Sequence, residues 1–219
     1  FTYYLVNNQL QKGYADFYLV RRVGENNEGR DEAGFNQMVS ELGLMGSRNF
    51  PGNTVVTYFE EMGLKMSDDF MVVNGRENSM YRVENVPVGR GGSIVDSTLL
   101  IIFNWMASIN MDEEEVEVQK QLFQNRYAGV LPDTLMDGVN NCSSKDIRNF
   151  YYKWFRPEQQ ALIVVGDIDV KDFDSKIKTL FQALPRYLDK VVLPAKKVAE
   201  QSEVEVSVIP SSDAGTGKM

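Results

Sequence analysis

Hydrophobic positions change period several times along this chain, and each change marks an element. Tyr14, Phe17, Tyr18, Leu19, Val20 and Val23 lie between Gly13 and Gly24 and suit a strand over 14–23; residues 2–7 read the same way. A polar, glycine-containing loop over 24–31 precedes an amphipathic helix over about 33–45. Asn49-Phe50-Pro51-Gly52 is a turn. Asn53 then caps a short helix with Val55, Val56, Phe59 and Met62 on one face, and Gly63 stops it. Residues 64–74 and 78–86 read as strands, and Gly89-Arg90-Gly91-Gly92 leads into an apolar helix over 94–108. Asn110 is the expected cap of the next helix, whose positive end suits Asp112, Glu113, Glu114 and Glu115. Ser143 and Asp146 have capping-box spacing for a helix over 144–154, which Arg156-Pro157 ends. The continuous apolar run 161–166 reads as a buried central strand. Phe173, Ile177, Leu180, Phe181 and Leu184 mark one buried helix face, and Val204, Val206 and Val208 alternate through a strand over 203–209.

Strands and about six helices in mixed order predict an α+β domain of two layers, a mainly antiparallel mixed sheet packed against helices. A single domain over 1–210 is expected, followed by a polar tail over 211–219 that leads to further domains of a longer protein. With 219 residues and 43% hydrophobic content, the chain can bury a sizeable core. A net charge of −8 makes phosphate-backbone binding a poor expectation and repels anionic membranes. The apolar run at 97–106 contains Asn104 and is too short for a bilayer, which takes roughly 20 apolar residues.

Chemistry is bounded by the absence of histidine and the presence of one cysteine. Serine or cysteine nucleophiles paired with histidine are excluded within the chain, as is imidazole-ligated zinc. Cys142 has no cysteine partner and no histidine to activate it, so a structural role is expected. The acidic run at 112–115 lacks the alternating ligands and glycine of a calcium loop. On the helix over 33–45, Gln37, Ser40 and Glu41 stand at i, i+3 and i+4 and share one face. A metal-binding helix places two ligands and a general base there, yet Glu41 alone carries a strong donor.

The flanks of that helix carry a resemblance. Gly34, Gly46, Ser47, Arg48, Asn49, Phe50, Pro51 and Gly52 are in register with the signature segment of the insulinase/pitrilysin family of inverted-motif zinc metallopeptidases, G-x-x-H-x-x-E-H-x-x-x-x-G-[ST]-[KR]-N-F-P-G. Residues 58–63 (YFEEMG), 150–157 (FYYKWFRP) and 164–169 (VVGDID) resemble three further family segments in the same order. The resemblance implies the insulinase/mitochondrial-processing-peptidase-like fold. It also implies that Gln37 and Glu41 occupy the two zinc-histidine positions and Ser40 the catalytic glutamate. The third-ligand segment resembles 119–126, ending in Arg126 to within one position.

On this register both imidazoles, the base and the third carboxylate are replaced, so no catalytic residue, metal ligand or zinc cofactor is expected. A Glu41–Arg126 ion pair is one way to fill the vacated pocket. The family's substrate-pairing edge strand corresponds to Phe70, Met71, Val72, Val73 and Asn74, which remain a candidate peptide-binding edge. The resemblance therefore implies a non-peptidase homologue, a structural or peptide-binding half. Its partner is a related active metallopeptidase subunit or further domains of the same chain, in the bacterial periplasm or cell envelope. The alternative is an active zinc endopeptidase with atypical ligands.

Overall fold

Alternation in the segment ADFYLVR places Ala15, Phe17 and Leu19 on a buried face and Asp16, Tyr18 and Val20 on the other, the period of a strand. The same logic organises the whole sheet in this computed structural model, which describes residues 1–90, 92–189 and 191. Its elements run β1 (Thr2–Asn7), β2 (Ala15–Arg21), α1 (Phe35–Met45), α2 (Thr54–Glu61), β3 (Phe70–Asn74), β4 (Ser79–Val86), α3 (Gly92–Ala107), α4 (Glu113–Tyr127), α5 (Asp133–Asn141), α6 (Ser144–Trp154), β5 (Gln160–Gly166) and α7 (Val170–Phe181). The strand order is β1-β5-β2-β4-β3, with β1 and β5 parallel and every other pair antiparallel. This is the α+β arrangement expected, with the apolar 160–166 segment as an interior strand.

One face of the sheet buries Phe17, Leu19, Phe70, Tyr81, Val83, Leu162 and Val164 against α2, α3 and α7. A second cluster forms among helices, where Phe35, Met38, Val39 and Leu42 of α1 meet Val116 and Phe123 of α4, Val139 of α5 and Ile147, Phe150 and Trp154 of α6. Between the two clusters Arg21 is fully buried, its guanidinium stacked 4.1 Å from the Tyr81 ring centroid and 4.8 Å from that of Phe155. Burial pushes the Arg21 pKa down, and the two ring faces supply the attraction that no carboxylate among the described residues provides. Tyr81 in turn stacks on Trp105 at 4.0 Å.

Several boundaries differ from expectation. The strand placed over 64–74 is shortened to β3, because 64–69 form a tight turn: Lys65 O accepts from the amides of Asp68, Asp69 and Phe70, and Ser67 has φ of 73°. The Asn53 side chain makes no capping bond. Asp112, not Asn110, caps α4, its carboxylate accepting from Glu115 N at 3.0 Å. Helix α5 was not foreseen and brings the described α-helices to seven. The Ser143–Asp146 capping box forms as expected. The strand expected over 203–209 and the tail over 211–219 lie outside the described residues.

Candidate functional site

Helix α1 is held from both ends and from below. At its start Gly34 adopts φ of 85°, a conformation suited to glycine, and a Cβ there would press on Leu135 and Val139. The Glu28 carboxylate accepts from Gly34 N at 2.9 Å and Asn36 N at 2.8 Å, satisfying amides that the helix leaves free. From below, the Tyr81 hydroxyl donates to Ser40 O at 2.7 Å and Trp105 Nε1 donates to Gly43 O at 2.8 Å.

At the other end, the segment GSRNFPG forms a turn closed by Ser47 N to Phe50 O at 2.8 Å. That turn reaches α3 and the segment after it. Asn49 Nδ2 donates to Asn104 Oδ1 at 3.0 Å, Arg48 N to Ser108 O at 3.1 Å, and Asn110 N to Gly46 O at 3.2 Å. Because α4 follows Asn110 directly, these bonds set α4 against α1. Within α4, Val116, Gln119 and Phe123 recur at helical spacing and are buried. Gln119 thereby faces α1, with Arg126 and Tyr127 two turns further on.

Four side chains converge on Glu41, which is only 8% exposed. Gln37 Nε2 donates to Oε1 at 3.2 Å and the Tyr127 hydroxyl donates to the same oxygen at 2.8 Å. Gln119 Nε2 donates to Oε2 at 2.7 Å, and Arg126 Nη1 lies 3.4 Å from that oxygen. Burial and the Glu41 charge push the Tyr127 hydroxyl pKa up. For Arg126, burial pulls the pKa down, but its bond with Tyr127 and the Glu41 charge outweigh it and leave the pKa raised. The result is a closed polar cluster of one carboxylate, two amides, a phenol and a guanidinium.

Of the residues singled out in the sequence, Gln37, Glu41 and Arg126 are brought together. Ser40 is not among them: it is fully buried, and its hydroxyl makes no hydrogen bond among the described residues. Gln119 and Tyr127 were not singled out. The signal available was the helical spacing of Val116, Gln119, Phe123 and Arg126/Tyr127 on one face. The candidate edge strand is at the sheet's edge, pairing with β4 from Phe70 opposite Val83 to Asn74 opposite Ser79. Phe70 is buried in the core, Val73 is exposed, and Asn74 Oδ1 accepts from Asn36 Nδ2 of α1 at 3.1 Å.

The donor set does not fit zinc. Glu41 is its single carboxylate, both oxygens already accept bonds, neutral amides are poor zinc ligands, and Arg126 brings a positive charge to the same oxygen. Among the described residues no three His, Cys, Asp or Glu side chains are arranged to hold a metal ion. Cys142 is buried, donates to Val139 O at 3.1 Å, and has its thiol pKa pushed up to about 11 by burial. At pH 8, labelling of native Cys142 by a thiol reagent is expected to run at least about 100-fold slower than in denaturant, because the thiolate population falls about tenfold per pKa unit. Equal rates would show a reactive, accessible thiol.

Comparison with known proteins places this geometry in context. A family model described as insulinase (peptidase family M16) matches residues 5–137, and one described as the peptidase M16 inactive domain matches residues 141–213. The chain is 26% identical over 200 residues to the probable zinc protease PqqL of Haemophilus influenzae, covering 80% of this chain and 21% of that protein. It matches the crystal structure of the periplasmic protease PqqL from Escherichia coli with a TM-score of 0.77 at 22% identity, covering 89% of this chain and 24% of that one. The crystal structure of the first half of the same protease gives a TM-score of 0.78, with 47% of that chain covered. The present chain thus spans about a quarter or less of these two full-length PqqL proteins.

Proposed function

We propose, from the premise that this chain belongs to the insulinase family of peptidases, M16, that it is a non-peptidase part of a larger protein. In this reading it serves as a structural or peptide-binding half alongside an active half or related subunit. One observation carries the proposal: the Glu41 carboxylate, at a position where the family resemblance puts a zinc ligand, is engaged by Gln37, Gln119, Tyr127 and Arg126. Ser40 stands where the resemblance puts the general base, and a serine hydroxyl cannot accept a proton from water near neutral pH. The match of 141–213 to the family's inactive domain supports the same reading.

What survives of the signature is the part that shapes the backbone. Gly46, Asn49 and the turn over 47–50 hold α1, α3 and α4 together whether or not a metal is bound. The scaffold would still present β3 as an open edge, to which an extended peptide can add as a strand through backbone bonds alone. A periplasmic site follows the description of the E. coli relative as a periplasmic protease. No described helix is long and apolar enough to cross a membrane.

The test is to dialyse the purified chain against zinc and measure bound metal and peptide cleavage together. Less than a tenth of an equivalent of zinc and no cleavage are expected. Stoichiometric zinc with cleavage would establish the atypical-ligand peptidase instead. Copurification with a related chain carrying an intact H-x-x-E-H motif, or such a motif elsewhere in the same polypeptide, is the expected partner result.

A further inference from the structure

After Trp105, Arg21 is the largest fully buried side chain among the described residues. Strand register sets it between Ser79 of β4 and Gln160 of β5, on the helix-facing side of the sheet. The Tyr81 and Phe155 rings approach its guanidinium, yet Nε, Nη1 and Nη2 make no hydrogen bond among the described residues. The ionisable groups that reach it are the Tyr81 and Tyr151 phenols, and no described carboxylate is among them. Glu41, the buried carboxylate of α1, is already engaged by Gln37, Gln119, Tyr127 and Arg126. Two further donors belong to the same layer. The Ser79 and Tyr151 hydroxyls are 0% and 3% exposed and unpartnered, and the Tyr151 ring stacks 5.5 Å from that of Phe155. Gln160 Nε2 donates to Phe155 O at 2.9 Å, and Gln160 Oε1 is an unpartnered acceptor.

We infer that Arg21, with the Ser79 and Tyr151 hydroxyls, forms an internal binding site for a small monovalent anion of the halide class. A guanidinium offers N–H donors only and keeps its charge at any ordinary pH. Buried without an opposite charge it is costly, and ring faces leave its in-plane N–H groups unanswered. Water is the weaker candidate, since each molecule brings donors along with its acceptors and no charge. A halide accepts from every side and neutralises the cation. One positive charge and complete burial select a single-atom monovalent ion over a phosphate, a nucleotide or a peptide carboxylate. The ion would join the column from Phe155 through Arg21 and Tyr81, whose hydroxyl donates to Ser40 O of α1 at 2.7 Å. The inference is independent of the non-peptidase reading, because none of its three residues touches Glu41.

Thermal denaturation and bromide diffraction test it together on residues 1–219. Melts are run in potassium chloride and in potassium gluconate at equal ionic strength, so that general screening cancels. Chloride is expected to raise the Tm saturably, as a ligand bound only by the native state does. Arg21→Met is expected to abolish the difference between the two salts. Should that variant fail to fold, Ser79→Ala and Tyr151→Phe each remove one donor and are expected to weaken the apparent chloride affinity at least about threefold. In crystals grown with bromide, an anomalous peak is expected within hydrogen-bonding distance of the Arg21 guanidinium. Equal melts in the two salts overturn the inference, as do donor variants with unchanged affinity. Bromide found at exposed lysines or arginines alone shows an adventitious ion only and overturns it. Waters bridging Arg21 to Gln160 Oε1 in place of bromide assign the layer to solvation and overturn it too.

Discussion

Replacing Glu41 with alanine is expected to lower the unfolding free energy by about 3 kcal/mol, since it leaves the buried amide of Gln119 and the half-buried hydroxyl of Tyr127 without their acceptor, at about 1–3 kcal/mol for the first and about 1 kcal/mol for the second. Arg126 adds little, because its side chain is 52% exposed and regains water when the carboxylate is removed. For a chain of this size the loss corresponds to a fall in Tm of roughly 6–12 °C, read by thermal denaturation. Glu41→Gln keeps one acceptor and should cost about half as much, and Arg126→Ala less than about 1 kcal/mol. This ordering distinguishes a structural carboxylate from a metal ligand. If zinc organised the site, chelator would lower the Tm of the native chain and have no effect on Glu41→Ala. Here chelator is expected to move neither. A Glu41→Ala Tm within a degree of the native value would mean that the cluster does not hold α1 to α4.

Gly43→Ala is expected to be at least as damaging, at about 3 kcal/mol, the upper part of the range for overpacking a filled core. An added Cβ falls inside the van der Waals envelope of the Tyr81 hydroxyl, 2.9 Å from its Cζ and 3.2 Å from Ile109 Cδ1. Tyr81 cannot retreat, with Trp105 stacked on one face at 4.0 Å and the Arg21 guanidinium 4.1 Å from its ring centroid. The bond from Tyr81 to Ser40 O would be lost as well. Tyr81→Phe removes the hydroxyl oxygen, the atom that clashes most, and leaves the 2.9 Å approach to Cζ. Alone it should cost about 1 kcal/mol, and combined with Gly43→Ala it should recover at least that much, a coupling that a double-mutant cycle measures. Absence of rescue would show that the clash is not the cause. The site helix therefore depends on a column running from Phe155 through Arg21 and Tyr81 to Trp105, distant in sequence from α1.

Much of this was legible in the residues themselves. The Ser143–Asp146 pair located the start of α6, and the unbroken apolar run before Gly166 located an interior strand. Both signals act within a few residues, where propensity and capping decide. The turn at Ser67 was less legible, because Leu64, Met66 and Phe70 give a strand-like pattern while Asp69 closes the chain back on Lys65 N. Helix α5 was hidden by its composition, with Gly138, Asn140 and Asn141 among few apolar residues; Gly138 is packed so closely on Ala33 that a side chain would collide with its carbonyl. The Glu41 cluster was half legible. Gln37 lies one turn away, and the family register pointed to Arg126, but Gln119 and Tyr127 stand 78 and 86 residues off.

By itself, the sequence determined which chemistry is closed to this chain, because no packing can create an imidazole, a second thiol or a missing carboxylate. It also determined the periods of strands and helices, since those reflect backbone geometry repeated every two or 3.6 residues. Only the tertiary structure decided what the remaining carboxylate does. Hydrogen bonding is directional and short-ranged, so Glu41 acquires its partners only after the turn at Ser47–Phe50 has brought α4 against α1. Tertiary structure likewise decided which helices fill the inner sheet face, α2, α3 and α7, because alternation along a strand marks its buried side but not what packs there.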